Sequence, residues 1–200
     1  MKGFTLWFTG VPCSGKSTLA RRMERVLRDR GHKIEVLDGD EVRQNLSKGL
    51  GFSKEDRDTN IRRIGYVCNL LTRNDVVAIA AAVSPYRSVR AENRKLIGNF
   101  VEIYVRCPVE ITRERDVKGM YKMVAEGKMK SFTGVDDPYE EPENAEVVVE
   151  TDRETIDQSV AKILHTLVLL GYLPAAEVHP DLRPDDEAEI RERLAKQKYA

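Results

Sequence analysis

Apolar residues recur along this chain in two rhythms. Phe4-Thr5-Leu6-Trp7-Phe8-Thr9 and Ile34 to Leu37 are short β-rich runs, and Val76 to Ala81 is a continuous apolar run suited to a strand buried on both faces of a parallel sheet. Phe100 to Val105 and Val147 to Val149 predict two further strands. Between them lie helical stripes: Leu19, Ala20, Met23, Val26 and Leu27; then Ile61, Ile64, Val67, Cys68 and Leu71; then Ile156, Val160, Ile163, Leu164, Leu167 and Leu170, ending at Gly171. Shorter helices are expected over 89–97 and from about Val109. Ser53-Lys54-Glu55-Asp56 and Thr151-Asp152-Arg153-Glu154 read as capping boxes. This alternation predicts an α/β fold in three layers, with a mainly parallel sheet of about five strands flanked by helices.

The first strand leads into Gly10-Val11-Pro12-Cys13-Ser14-Gly15-Lys16-Ser17, which fits the G-x-x-x-x-G-K-[ST] phosphate-binding loop in its proper strand-loop-helix setting. A triphosphate carries several negative charges. Inward-facing amides at a helix N-terminus offset them, and because Pro12 has no N–H, the cradle is expected from the amides of Ser14 to Thr18. Lys16 is expected on the β- and γ-phosphates and Ser17 on Mg²⁺. The ATP set is thus Gly10, Cys13, Ser14, Gly15, Lys16, Ser17 and Thr18, and the fold is of the P-loop NTPase type.

Asp38-Gly39-Asp40 ends the second strand, beside the loop. An aspartate there can serve a metal or take a proton from a substrate hydroxyl, although the triplet alone is equally an acidic turn. Arg57, Asn60, Arg62 and Arg63 share the early polar face of the next helix and can hold an anion, or simply be solvated. Residues 110–137 are dense in charge, with Gly119 and Gly127 as hinges, and read as a mobile lid or as an exposed charged hairpin. We assign residues 1–173 to a catalytic domain and 174–200 to a Pro-containing linker and charged tail, which packs on the domain, pairs with a second subunit or led into another domain.

Composition narrows the partners. The 200 residues are 41% hydrophobic and carry 33 basic and 33 acidic residues, so no global field calls for nucleic acid or an anionic membrane. Cys13, Cys68 and Cys107 are odd in number and lack metal spacing, there is no signal-peptide pattern, and no apolar run approaches about 18 residues. A soluble cytoplasmic protein is expected.

Further stretches are more specific than the loop: Asp38 to Arg43, Gly51-Phe52-Ser53 with Asp56-Arg57, Asn60 to Arg63, Ser84-Pro85-Tyr86-Arg87, Arg115 to Gly119, and Phe132-Thr133-Gly134 with Asp136 to Glu140. In this order, over about residues 3 to 173, they resemble the adenylylsulfate kinase family. The resemblance implies transfer of the ATP γ-phosphoryl to the 3′-hydroxyl of adenosine 5′-phosphosulfate, with ATP and Mg²⁺. It makes Asp40 the base, with Asp38 orienting the metal or nucleophile and Lys16 as the catalytic cation. It puts Phe52 and Phe132 on the two faces of the acceptor adenine, and Arg43, Arg57 and Asn60 on its phosphosulfate and ribose. Backbone help near Val83 and Ser84, and Lys118 from the lid, complete that pocket, and the ATP base lies near Thr151 to Arg153. It also implies a homodimer and a functional link to an ATP sulfurylase. Three departures stand out: Pro12-Cys13 replaces small residues, Thr59 stands where glutamate is common, and Met123-Val124 replaces a more basic pair. A kinase for another nucleotide or a sugar acid, and a non-catalytic nucleotide-binding module, are the rival readings.

Overall fold

In the computed structural model, which describes residues 2–129, 132–175 and 181–197, five strands form one parallel sheet. They are β1 (Thr5–Thr9), β2 (Ile34–Asp38), β3 (Val77–Ala81), β4 (Phe100–Arg106) and β5 (Val147–Glu150), in the order β2-β3-β1-β4-β5. The helices are α1 (Lys16–Asp29), α2 (Gly39–Gln44), α3 (Lys54–Thr72), α4 (Arg87–Ile97), α5 (Val109–Arg115), α6 (Met120–Ala125), α7 (Ile156–Leu169) and α8 (Pro184–Gln197). No described helix is long and apolar enough to cross a membrane.

Alternation along β1 sets the layers. Phe4, Leu6 and Phe8 pack with Leu19, Met23 and Leu27 of α1 and Ile163 and Leu164 of α7, whereas Trp7 packs with Ile61, Ile64 and Cys68 of α3 and Val89 of α4. Each such side chain removed from water stabilises the fold by roughly 1.5–3 kcal/mol. Helices α3 and α4 approach closely at Gly65, where a Cβ would lie only 2.0 Å from Asn93 Oδ1. Strand order reverses at β1, whose neighbours are β3 and β4, and this opens a crevice at its C-terminal end, where the phosphate loop begins.

Two caps differ from expectation. Ser53 accepts the Asp56 N–H at 3.1 Å, but Asp56 turns its own carboxylate to the Gly51 N–H, so that box is half made. The second box begins at Thr155 with Gln158 and not at Thr151. The reason is tertiary: the Thr151 hydroxyl donates to the Ser14 carbonyl at 2.8 Å and so ties the end of β5 to the phosphate loop. Beyond Pro184 the charged run is a helix against α7, with Asp186 and Ile190 buried. Lys130 and Ser131 of the expected lid, and 176–180 and 198–200 of the expected linker and tail, lie outside the described residues.

Candidate active site

The phosphate loop is shaped by close approach. Gly10 has φ +152°, and a Cβ there would meet the Val105 carbonyl at 2.5 Å. Gly15 caps α1 from the left-handed region at φ 102°. The first helical bond runs from Leu19 N–H to Gly15 O at 3.1 Å, which leaves the amides of Lys16, Ser17 and Thr18 at the open N-terminus. The Ser14 N–H, expected in the cradle, instead donates to Val11 O at 3.3 Å, because the chain turns there. Lys16 is buried, and its Nζ donates to the carbonyls of Gly10 (2.9 Å) and Val11 (2.7 Å). Burial lowers its ammonium to about 7, with the Lys118 charge acting the same way and Cys13 and Asp38 opposing. A phosphate would supply the anion that this lysine lacks.

Beside the loop, Ser17 Oγ donates to Asp38 Oδ2 at 2.6 Å, while Asp38 Oδ1 accepts the Asp40 N–H at 3.0 Å and caps α2. One carboxylate thus locks helix and loop together. These hard oxygen donors fit Mg²⁺, which takes one or two protein ligands and completes its shell with phosphates and water. Asp40 is exposed and forms an ion pair with Lys118, from the turn between α5 and α6.

The neighbouring loops gather around Arg57. Its Nε donates to the Phe52 carbonyl at 2.9 Å, while NH1 donates to Thr133 Oγ1 and lies 3.2 Å from Asp137 Oδ2. Arg43 stacks 4.5 Å from the Phe52 ring centroid and donates to Gly51 O. Burial, and then the Arg57 charge, lower the Arg43 guanidinium below its ordinary value. Asn60 is buried, and among the described residues its Oδ1 has no hydrogen-bond partner. Two converging cations and an unpaired buried carbonyl oxygen suit a polar anionic ligand.

The family model described as adenylylsulphate kinase matches residues 2–150. This chain belongs to the adenylylsulfate kinase family. It is 58% identical over 172 residues to the adenylyl-sulfate kinase of Rippkaea orientalis, covering 86% of this chain and 95% of that one. It is also 58% identical to a probable bifunctional SAT/APS kinase of Sorangium cellulosum, over 87% of this chain and 30% of that longer protein. The structure of the Mycobacterium tuberculosis APS kinase in complex with AMPPNP and APS superposes with a TM-score of 0.80 at 36% identity, covering 83% of this chain and 98% of that one.

Within this adenylylsulfate kinase fold the expected site residues are not equivalent. Phe52 is 60% exposed, whereas Phe132 is buried edge-to-face on Tyr121 at 4.9 Å. Among the described residues the two rings make no contact with each other; Arg57 is what links their loops. Ser84 is held from several sides. Its hydroxyl faces inward, accepting from Trp7 Nε1 at 3.1 Å and donating to Thr9 Oγ1 at 3.0 Å, and the residue sits at φ 41°. Arg90 holds the Ser84 carbonyl at 2.6 Å, and Val83 O accepts from Thr9 at 2.8 Å. Packing thus holds the Ser84 hydroxyl and both carbonyls of this turn. The Arg153 side chain is exposed beside Asp152 and Glu150.

Thr59 leaves no arginine stranded, since Arg57 has Asp137 and Arg62 has Glu92 at 2.7 Å. Thr133, Asp137, Arg115 and Tyr121 received no role from the sequence. Thr133 and Asp137 lie inside the Phe132 to Glu140 stretch, where partners for Arg57 were to be sought. Tyr121 reaches the Pro12 carbonyl at 3.2 Å and joins α6 to the phosphate loop, a contact that no spacing signals.

Proposed function

We propose that this chain transfers the ATP γ-phosphoryl directly to the 3′-hydroxyl of adenosine 5′-phosphosulfate, giving 3′-phosphoadenosine 5′-phosphosulfate and ADP for sulfate assimilation. The observation that supports it is a pair of neighbouring cations, Arg43 and Arg57, with Arg43 on the helix that Asp38 caps and Asp38 bonded to Ser17 of the phosphate loop. A phosphate loop alone is common to hydrolases and kinases. A second anion site beside it supplies the acceptor.

In this reading the amides of Lys16, Ser17 and Thr18 and the Lys16 ammonium hold the donor phosphates, and Arg153 borders its base. Ser17 and Asp38 would hold Mg²⁺, which supplies positive charge against the β- and γ-phosphates. Arg43, Arg57 and Asn60 fix the acceptor, with Phe52 on its adenine. Asp40 exchanges Lys118 for the 3′-hydroxyl and accepts its proton as the oxygen bonds to the γ-phosphorus and the bond to the bridging oxygen breaks. Lys118 is then free to meet the phosphoryl group. Catalysis is mainly positioning and charge neutralisation.

The bifunctional relative supports a link to an ATP sulfurylase, which would deliver the acceptor. The three cysteines are free, which fits a cytoplasmic enzyme, and a homodimer is the assembly the family resemblance implies. A coupled ATP assay across nucleotide, sugar-acid and adenylyl sulfate acceptors tests the reading. Turnover confined to adenylyl sulfate supports it. Turnover of another acceptor, or nucleotide binding with none, refutes it.

A further inference from the structure

The most enclosed ion cluster lies beyond residue 150, where the family match ends. Lys162 of α7 is buried; its Nζ donates to Glu154 Oε1 at 2.7 Å and lies 3.1 Å from Asp186 Oδ1 in the first turn of α8. Arg183 grips both oxygens of Asp186 at 2.7 Å, and Glu154 Oε2 accepts from Ser159 Oγ at 2.9 Å. Two cations balance two anions, and the buried lysine needs both carboxylates. Ile190 is the buried apolar anchor of α8, and Gln197 donates to Asn144 O at 2.9 Å, near the start of β5.

Glu154 also closes the turn that leaves β5, with its N–H on Glu150 O at 2.9 Å. That turn touches two other parts of the donor side. Thr151 Oγ1 donates to Ser14 O at 2.8 Å in the phosphate loop. Arg115, at the end of α5 within the expected lid region, donates to Thr151 Oγ1 (3.0 Å) and O (2.6 Å). We infer that Asp186 is a positioning residue for the donor site. Through Lys162 and Glu154 it fixes the 151–154 turn, which seats the phosphate loop and the base of the lid. Helix α8 is therefore part of the ATP site's support, while the acceptor loops around Arg57 are independent of it. The inference rests on the kinase reading only in naming ATP as the ligand.

The test uses the full chain and equilibrium binding of ADP and, separately, of adenylyl sulfate by calorimetry. Asp186→Ala should weaken ADP about three- to tenfold and leave adenylyl sulfate within about twofold. Asp186→Asn, which keeps the shape and an acceptor oxygen for Lys162, should recover most of the loss. Ile190→Ala, which loosens α8 without touching the ion cluster, should lower the melting temperature and leave ADP binding within about twofold. A lower melting temperature with unchanged ADP affinity in Asp186→Ala, equal loss for both ligands, or equal loss of ADP in Ile190→Ala overturns the inference. Should adenylyl sulfate fail to bind the unmodified chain, the acceptor assignment falls, and the ADP comparison still decides the role of Asp186.

Discussion

The phosphate loop and the acceptor loops share one edge of the sheet but are held there by different means. The loop is held locally: glycines at Gly10 and Gly15, a helix N-terminus, and a lysine bonded to carbonyls five and six residues away. The acceptor side is held by one side chain, Arg57, reaching Phe52 on one flank and Thr133 and Asp137, more than seventy residues on, at the other. A local motif builds a generic donor site. A long-range strap builds the site we propose for the acceptor.

The largest effect should come from the local half. Lys16→Ala removes the buried cation bonded to the loop carbonyls, and kcat/KM should fall about a thousandfold while the melting temperature holds or rises. Next, Arg57→Ala should cost about 3 kcal/mol of stability in denaturant titration, because Asp137 loses its buried partner, and should raise the KM for adenylyl sulfate far more than that for ATP. Equal effects on both substrates would erase the distinction between the halves. The two aromatics sharpen it: Phe52→Ala should raise the acceptor KM with stability within about 0.5 kcal/mol, since the ring is exposed, whereas Phe132→Ala should lower both stability and acceptor affinity by unpacking Tyr121.

The same contrast explains what could be read in advance. Strands, helices and phosphate loop follow from periodicity and short-range chemistry, and β1 to β5 lie within one or two residues of their apolar runs. The Asp38 cap and its bond to Ser17 follow from a carboxylate ending the strand beside the loop. The inward turn of the Ser84 side chain, where φ 41° aims its hydroxyl at Trp7 and Thr9, is not revealed by residue type and order. The Thr151 box failed for a similar reason, as a tertiary acceptor, Ser14 O, outcompeted the local cap. The docking of α8 needed Lys162, Glu154 and Asp186 to meet in space, whereas the chain shows only isolated charges.

The smallest expected effect concerns pH at that docked helix. Burial pushes the Asp186 carboxyl up, but hydrogen bonds from Arg183 and Lys162 outweigh it and hold the group below its ordinary value. Burial lowers Lys162, but Glu154 and Asp186 outweigh it and raise the group. The Asp186 contribution is therefore full above its unfolded value near 3.8 and is lost as pH falls through the lower folded value; that of Lys162 is full below 10.5 and is lost above the folded value. His165 and Glu187 face the same interface: His165, held low by burial, adds no gain near neutrality, whereas Glu187, held low chiefly by its hydrogen bond from Arg191, contributes fully there. The melting difference between the unmodified chain and Asp186→Asn should be flat from about pH 6 to 9 and shrink below about pH 4.

Direct transfer from the local half to the strapped half is tested by a single turnover with γ-labelled ATP and adenylyl sulfate, quenched before completion. All transferred label should appear in the 3′-phosphate of the product, and none on protein, because the Ser84 hydroxyl is buried against Trp7 and Thr9. Label trapped on Ser84 that chases into product would contradict the account.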